Sequence, residues 1–92
     1  MRKLDIARQI AQQARLTERD AVMLLEWILD LFKATLHKGE PIAILNFGKF
    51  TVRRKSARRG RNPKTGQEIT IAARRVVIFR PGSQLKAATH AL

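Results

Sequence analysis

Apolar residues recur at helical spacing from the start of the chain: Ile6, Ile10 and Ala14, with Ala7 and Ala11 beside them, form one face of a first helix. Asp5 in its first turn complements the helix dipole. The run breaks at Leu16-Thr17, and Thr17 with Asp20 three positions on resembles a capping box with Asp in place of Glu. A second helix is predicted from Glu18 to Leu36 or His37. Its apolar positions, Ala21, Val22, Leu24, Leu25, Ile28, Leu29, Leu31, Phe32 and Leu36, cover more than one stripe. So wide an arc needs two surfaces to pack on, and the first helix supplies only one. A dimer whose second helices bury each other is the expectation.

Gly39 stands where a helix C′ residue belongs, and Pro41 prevents continuation. Ile42-Ala43-Ile44-Leu45 then reads as a short buried strand. In Asn46-Phe47-Gly48-Lys49-Phe50, Asn46 and Gly48 offer two places for positive φ, as a tight connection into a second strand requires. Phe47 and Phe50 are read as core residues, with base stacking as the alternative.

From Thr51 the character changes. Basic residues crowd Arg53 to Arg61, and Gly60-Arg61-Asn62-Pro63-Lys64-Thr65-Gly66 is a dense group of turn formers. Beyond it, Ile69, Ile71 and Ala73 alternate with Thr70, Ala72 and Arg74 at strand spacing. A hairpin follows, and its tip holds almost nothing apolar, so it must project from the body. About ten residues at ~3.3 Å each give an arm of roughly 33 Å. The chain returns through Val76-Val77-Ile78-Phe79 to Arg80-Pro81-Gly82, and Ser83 is the expected N-cap of a last helix turning Leu85, Ala88 and Leu92 inward. The fold class is α+β: two helices, three antiparallel strands with a long hairpin, one short helix. One domain is expected over residues 1–92, with a body of 1–52 and 76–92 and an arm of 53–75. No repeat or low-complexity linker interrupts it.

Charge sharpens this picture. The 92 residues carry a formal net charge of +12. Residues 53–75 hold Arg53, Arg54, Lys55, Arg58, Arg59, Arg61, Lys64, Arg74 and Arg75 against Glu68 alone, so +8 of that +12 sits in a quarter of the chain. Solvation of a charged face is the bland explanation. Eight uncompensated charges that repel one another point instead to a polyanionic partner.

Other classes fare worse. The chain has no cysteine and two histidines, and its acids outside the arm fall singly, on predicted helices except for Glu40 just beyond the second. No catalytic constellation, metal site, cofactor or small-molecule substrate is therefore expected. His37 has a sufficient role at a helix C-terminus. No apolar run approaches the ~18 residues of a membrane span. The charge lies on a ribbon and not on an amphipathic helix, which argues against a membrane surface. Met1-Arg2-Lys3-Leu4-Asp5 does not open a signal peptide, so a soluble, cytoplasmic protein is expected. An RNA-binding or ribosomal-type protein of similar size and charge is the competing reading.

The motifs together resemble the HU and integration host factor family of bacterial nucleoid proteins over essentially the whole chain. Gly60-Arg61-Asn62-Pro63-Lys64-Thr65-Gly66 carries the resemblance most strongly, supported by Phe47-Gly48-Lys49-Phe50 and by Arg80-Pro81-Gly82-Ser83-Gln84-Leu85-Lys86. Lys3-Leu4-Asp5-Ile6 and Gly39 also fit. Ala73-Arg74-Arg75-Val76-Val77 with Phe79 is more similar to the integration host factor α side than to HU. Asn46 departs from the Gly that many relatives have there.

The resemblance implies an intertwined homodimer or heterodimer that binds double-stranded DNA in the bacterial nucleoid and bends it. Arg53, Arg54, Lys55, Arg58, Arg59, Arg61, Asn62, Pro63, Lys64, Arg74 and Arg75 would contact DNA, with Arg61 and Asn62 reading acceptors on the minor-groove floor. On the residues alone Pro63 only shapes a turn; the resemblance makes it a wedge between base pairs. Lys3, Ser83 and Lys86 are candidate phosphate contacts on the body.

Overall fold

A computed structural model describes residues 1–90, so the expected inward position of Leu92 lies outside the described residues. Helix α1 spans Lys3–Ala14 and α2 spans Glu18–His37. The Asp5 carboxylate accepts from the Arg2 backbone N–H at 2.8 Å, which stabilises the start of α1 by more than the dipole alone. Arg15 ends α1 in the left-handed region at φ 55°. Thr17 then caps α2, its hydroxyl accepting from the Asp20 backbone N–H at 3.1 Å. At the far end the Gly39 N–H donates to the Leu36 carbonyl and the Glu40 N–H to that of Thr35, at 2.9 and 3.2 Å. This is a Schellman motif, and Gly39 at φ +82° occupies the position that penalises a Cβ.

Strands β1 (Ile42–Ile44), β2 (Gly48–Lys55) and β5 (Arg74–Pro81) form an antiparallel sheet in the order β1-β2-β5. The β1–β2 turn closes with the Phe47 N–H on the Ile44 carbonyl at 3.0 Å, and Asn46 takes φ 66°. Asn is the non-glycine residue best suited to that region. The expectation for Gly48 needs correcting. Its φ is not positive; space is what demands glycine there. A Cβ at Gly48 would lie 2.5 Å from the Phe79 ring and 2.8 Å from the Arg80 carbonyl oxygen. Gly48→Ala should therefore lower stability by about 1–3 kcal/mol through overpacking. A urea midpoint equal to that of the unsubstituted chain would contradict this.

Pairing of β2 with β5 sets Phe50 opposite Phe79 and Val52 opposite Val77, which puts these side chains on one face. That face meets α2, where Phe32 packs edge-on against Phe50 at 5.6 Å between centroids. Phe79 lies 4.7 Å from Phe50 and 5.5 Å from Phe47. The two phenylalanines read as core thus join one aromatic cluster, although Phe47 remains 43% exposed in the single chain.

The arm is not one continuous hairpin. Beyond the expected three-stranded sheet, β3 (Arg58–Arg61) and β4 (Glu68–Ile71) form a separate two-stranded sheet, so the hairpin arm is built of two successive paired segments. The last pair of the main sheet is Lys55↔Arg74 and the first pair beyond it is Arg58↔Ile71. Ser56-Ala57 on one strand and Ala72-Ala73 on the other leave pairing together, and the register is the same on both sides. Short side chains with weak strand preference have few cross-strand contacts to hold the ladder there. Helix α3 (Ser83–His90) follows the sheet.

The core is thin. Among the described residues the buried apolar side chains are Ala7, Ala21 and Leu25, while Met23, Trp27, Leu31 and Val77 are each more than half exposed. The chain presents 8111 Å² of surface, against about 5,400 Å² for a compact protein of this mass. Its radius of gyration is 18.8 Å where compact packing would give about 12 Å, and its long axis extends 58 Å. Both excesses belong to a molecule with a projecting arm and an uncovered apolar face.

Candidate nucleic-acid interface

Strand parity sorts the cations of the arm. Lys49, Arg53 and Lys55 of β2 lie on the face opposite the aromatic cluster, with Arg80 and Arg74 of β5 across from Lys49 and Lys55. In the outer ribbon Arg59 and Arg61 share one side with Thr70 and Glu68, and Arg58 shares the other with Gly60, Ile69 and Ile71. Among the described residues the ion pairs are Lys3–Glu26, Arg8–Glu18 and Lys33–Asp30, so none involves a cation of residues 53–75. Glu68, although opposite Arg61, does not neutralise it.

The tip is built by its own backbone. The Asn62 N–H donates to the Gln67 carbonyl at 2.9 Å, and the Gly66 N–H donates to the Asn62 carbonyl at 2.8 Å. Gly66 at φ +70° allows the chain to reverse. The Asn62 side-chain oxygen accepts from the Lys64 N–H at 2.9 Å, an Asx turn that leaves the amide NH₂ as its outward function. A donor is what minor-groove acceptors need. Pro63 is exposed at the apex.

The structure places three further expected residues within the body. Arg75 donates through Nη2 to the carbonyls of Leu36 and His37 at 3.1 and 2.9 Å, so its guanidinium is turned toward the end of α2 and not along the arm. Lys3 is engaged by Glu26 at 3.1 Å. Ser83 is the first residue of α3 and not its cap: the Gly82 carbonyl takes the first helical bond, from the Lys86 N–H at 3.0 Å. Lys86 lies one turn further along that exposed helix. Lys49 and Arg80 were missed by reading the sequence, being isolated charges outside the dense run. Pairing sets them opposite each other, and with Ser83 they line a shallow recess beside the β1–β2 turn.

No group of three metal-binding side chains occurs among the described residues. No helix there is long and apolar enough to cross a membrane.

A small α+β body carrying a cationic, proline-tipped ribbon is the architecture of an architectural DNA-binding protein. The family model described as "Bacterial DNA-binding protein" matches residues 1–90, and the chain belongs to this family, that of HU and the integration host factor subunits. Among named relatives, integration host factor subunit alpha of Halorhodospira halophila is 46% identical over 84 residues, covering 91% of this chain and 83% of the relative. The alpha subunit of Thioalkalivibrio sulfidiphilus is 45% identical over 89 residues, covering 97% and 90%. Among solved structures, an Anabaena HU–DNA cocrystal structure superposes with a TM-score of 0.88 at 30% identity, covering 97% of both chains. An HU variant from Thermotoga maritima gives 0.70 at 28% identity, covering 97% and 99%. The similarity to integration host factor α noted around residues 73–79 accords with these relatives.

Proposed function

We propose that this chain is one subunit of a dimer that lays two basic arms in the minor groove of duplex DNA and bends it by inserting Pro63 between base pairs. The observation that carries the reading is the projecting ribbon, which holds its cations without acidic partners around an exposed proline. The uncovered apolar face supports a second subunit, either identical or related. The family is itself a standard example of minor-groove bending by apolar wedges, and the wedge role of Pro63 rests on membership in it. Proline suits the task because it is apolar, rigid and has no N–H to leave unsatisfied against a base. Such a protein shapes or compacts the bacterial chromosome, and a cytoplasmic, nucleoid location follows from that substrate.

Smooth bending costs of order 1–6 kcal/mol per site, which the charge contacts must exceed. If eight phosphates are neutralised, log affinity should fall with log salt at a slope of about −7. A slope near zero would remove the electrostatic basis of the reading. Pro63→Ala should reduce the bend measured by energy transfer between labelled duplex ends while changing affinity only a few-fold. An unchanged bend angle would refute the wedge. Tighter binding to duplex RNA than to duplex DNA in competition would overturn the choice of partner.

A further inference from the structure

We propose that Arg75 is a positioning residue that clamps the root of the arm to the C-terminus of α2 and contacts no DNA phosphate. The proposal rests on the DNA-binding reading only for what the arm is used for; the clamp itself is a property of the free protein.

Arg75 lies directly opposite Arg54, on the same face of the sheet. Two guanidinium groups so placed repel, and in an unassisted ribbon they would weaken the pairing just where the arm begins. The last turn of α2 supplies the remedy. Its carbonyls carry the negative end of the helix dipole; that of Leu36 already accepts from the Gly39 N–H and has a second lone pair to offer, while that of His37 accepts from no backbone N–H of the loops or caps among the described residues. Arg75 donates to two of them, Leu36 and His37. Arg54 remains exposed for another partner.

The location gives the contact its consequence. Arg75 is one residue inside the last pair of the main sheet, Lys55↔Arg74, beyond which both strands leave the ladder. Among the described residues its two bonds are the only side-chain hydrogen bonds joining the sheet to a helix. Around them Lys33, Leu36, His37, Val52, Val76 and Val77 line an open recess, so side-chain packing does not hold this edge closed. A rigid helix of 20 residues is thereby tied to the base of a lever whose next joint is the 56–57/72–73 interruption. The direction in which the arm leaves the body is set at this tie.

Amide hydrogen exchange in the DNA-free protein tests the clamp. Arg75→Ala should speed exchange at the paired amides of 53–55 and 74–76 by about tenfold. Amides in the middle of α2, around Leu25, should keep their rates. Arg75→Lys, which retains a cationic donor, should restore much of the protection. Equal rates at the arm root, or a uniform acceleration that includes Leu25, would overturn the proposal. Salt titration of DNA binding supplies the second arm. Arg75→Ala should leave the log–log slope unchanged, whereas Arg54→Ala should reduce its magnitude by about 0.9. A loss of about 0.9 on Arg75→Ala would make Arg75 a phosphate contact and sink the assignment. A flat slope in the unsubstituted chain would instead sink the DNA reading, with the exchange result still deciding the clamp.

Discussion

Replacing Arg58, Arg59 and Arg61 together by alanine is expected to weaken DNA binding roughly 500-fold at 0.1 M salt for each arm that engages. Each phosphate contact contributes a slope of about 0.9 in log affinity against log salt, so each is worth about 0.9 decade at 0.1 M relative to 1 M. Three contacts give about 2.7 decades. The loss should shrink toward nothing as salt approaches 1 M, and the slope itself should fall in magnitude by about 2.7. The cost to folding should be small, because all three side chains are exposed and none makes an ion pair among the described residues. Equal affinity of the triple variant at 0.1 M, measured by anisotropy with a labelled duplex, would contradict the assignment. Arg59 and Arg61 share a side of the ribbon that Arg58 does not. A pairwise Arg59→Ala/Arg61→Ala variant therefore tests whether one side carries most of the contact.

Local chemistry made much of this legible beforehand. Thr17 and the pair Gly39–Pro41 bracket α2 because caps are short-range devices, readable within a few residues. The arm showed itself by an excess of charge with nothing apolar to bury. What escaped depends on partners distant in sequence. Gly48 reads as a flexible residue until Phe79, 31 positions away, is known to cover it. Arg75 reads as one more arm cation until the sheet brings it to α2, 38 residues upstream at His37. Lys49 and Arg80 join the basic face only through strand register. The interruption at 56–57 and 72–73 was hidden because alternation in Ile69, Ile71 and Ala73 continues through it; periodicity records which side a residue faces and not whether its backbone is paired.

The two halves of the molecule answer opposite demands. In the arm, cation repulsion and the absence of a core keep the ribbon away from the body, so order there depends on the backbone turn at the tip and the tie at the root. A two-stranded ribbon is marginal alone in water, and a polyanionic partner would supply the missing stabilisation. In the body, the shortage is of covering surface. A core of three buried apolar side chains among the described residues cannot hold the body together, and the wide apolar arc of α2 remains half bare beside the aromatic cluster. A partner subunit completes the fold much as DNA completes the arm.

Phe79→Ala should expose that dependence most sharply. The ring contacts Phe47 and Phe50 and lies against the bare backbone of Gly48, so its removal opens the centre of the cluster. Truncating a core phenylalanine costs about 3–5 kcal/mol, a large share of the roughly 5–15 kcal/mol that stabilises a typical domain, and that full cost applies where a second subunit covers the ring, which is 37% exposed in the single chain. If the cluster is completed across a dimer, the cost is met twice per dimer, and at about 2–4 °C per kcal/mol the melting temperature should drop by about 15 °C or more. The midpoint should also rise with protein concentration, because folding and association are then one equilibrium. Phe79→Leu, which keeps most of the volume, should lose far less. Calorimetry at two concentrations, with mass measured in solution, decides the matter. A Phe79→Ala protein melting within a few degrees of the unsubstituted chain, at a midpoint independent of concentration, would mean that the cluster neither holds the body nor depends on a second subunit.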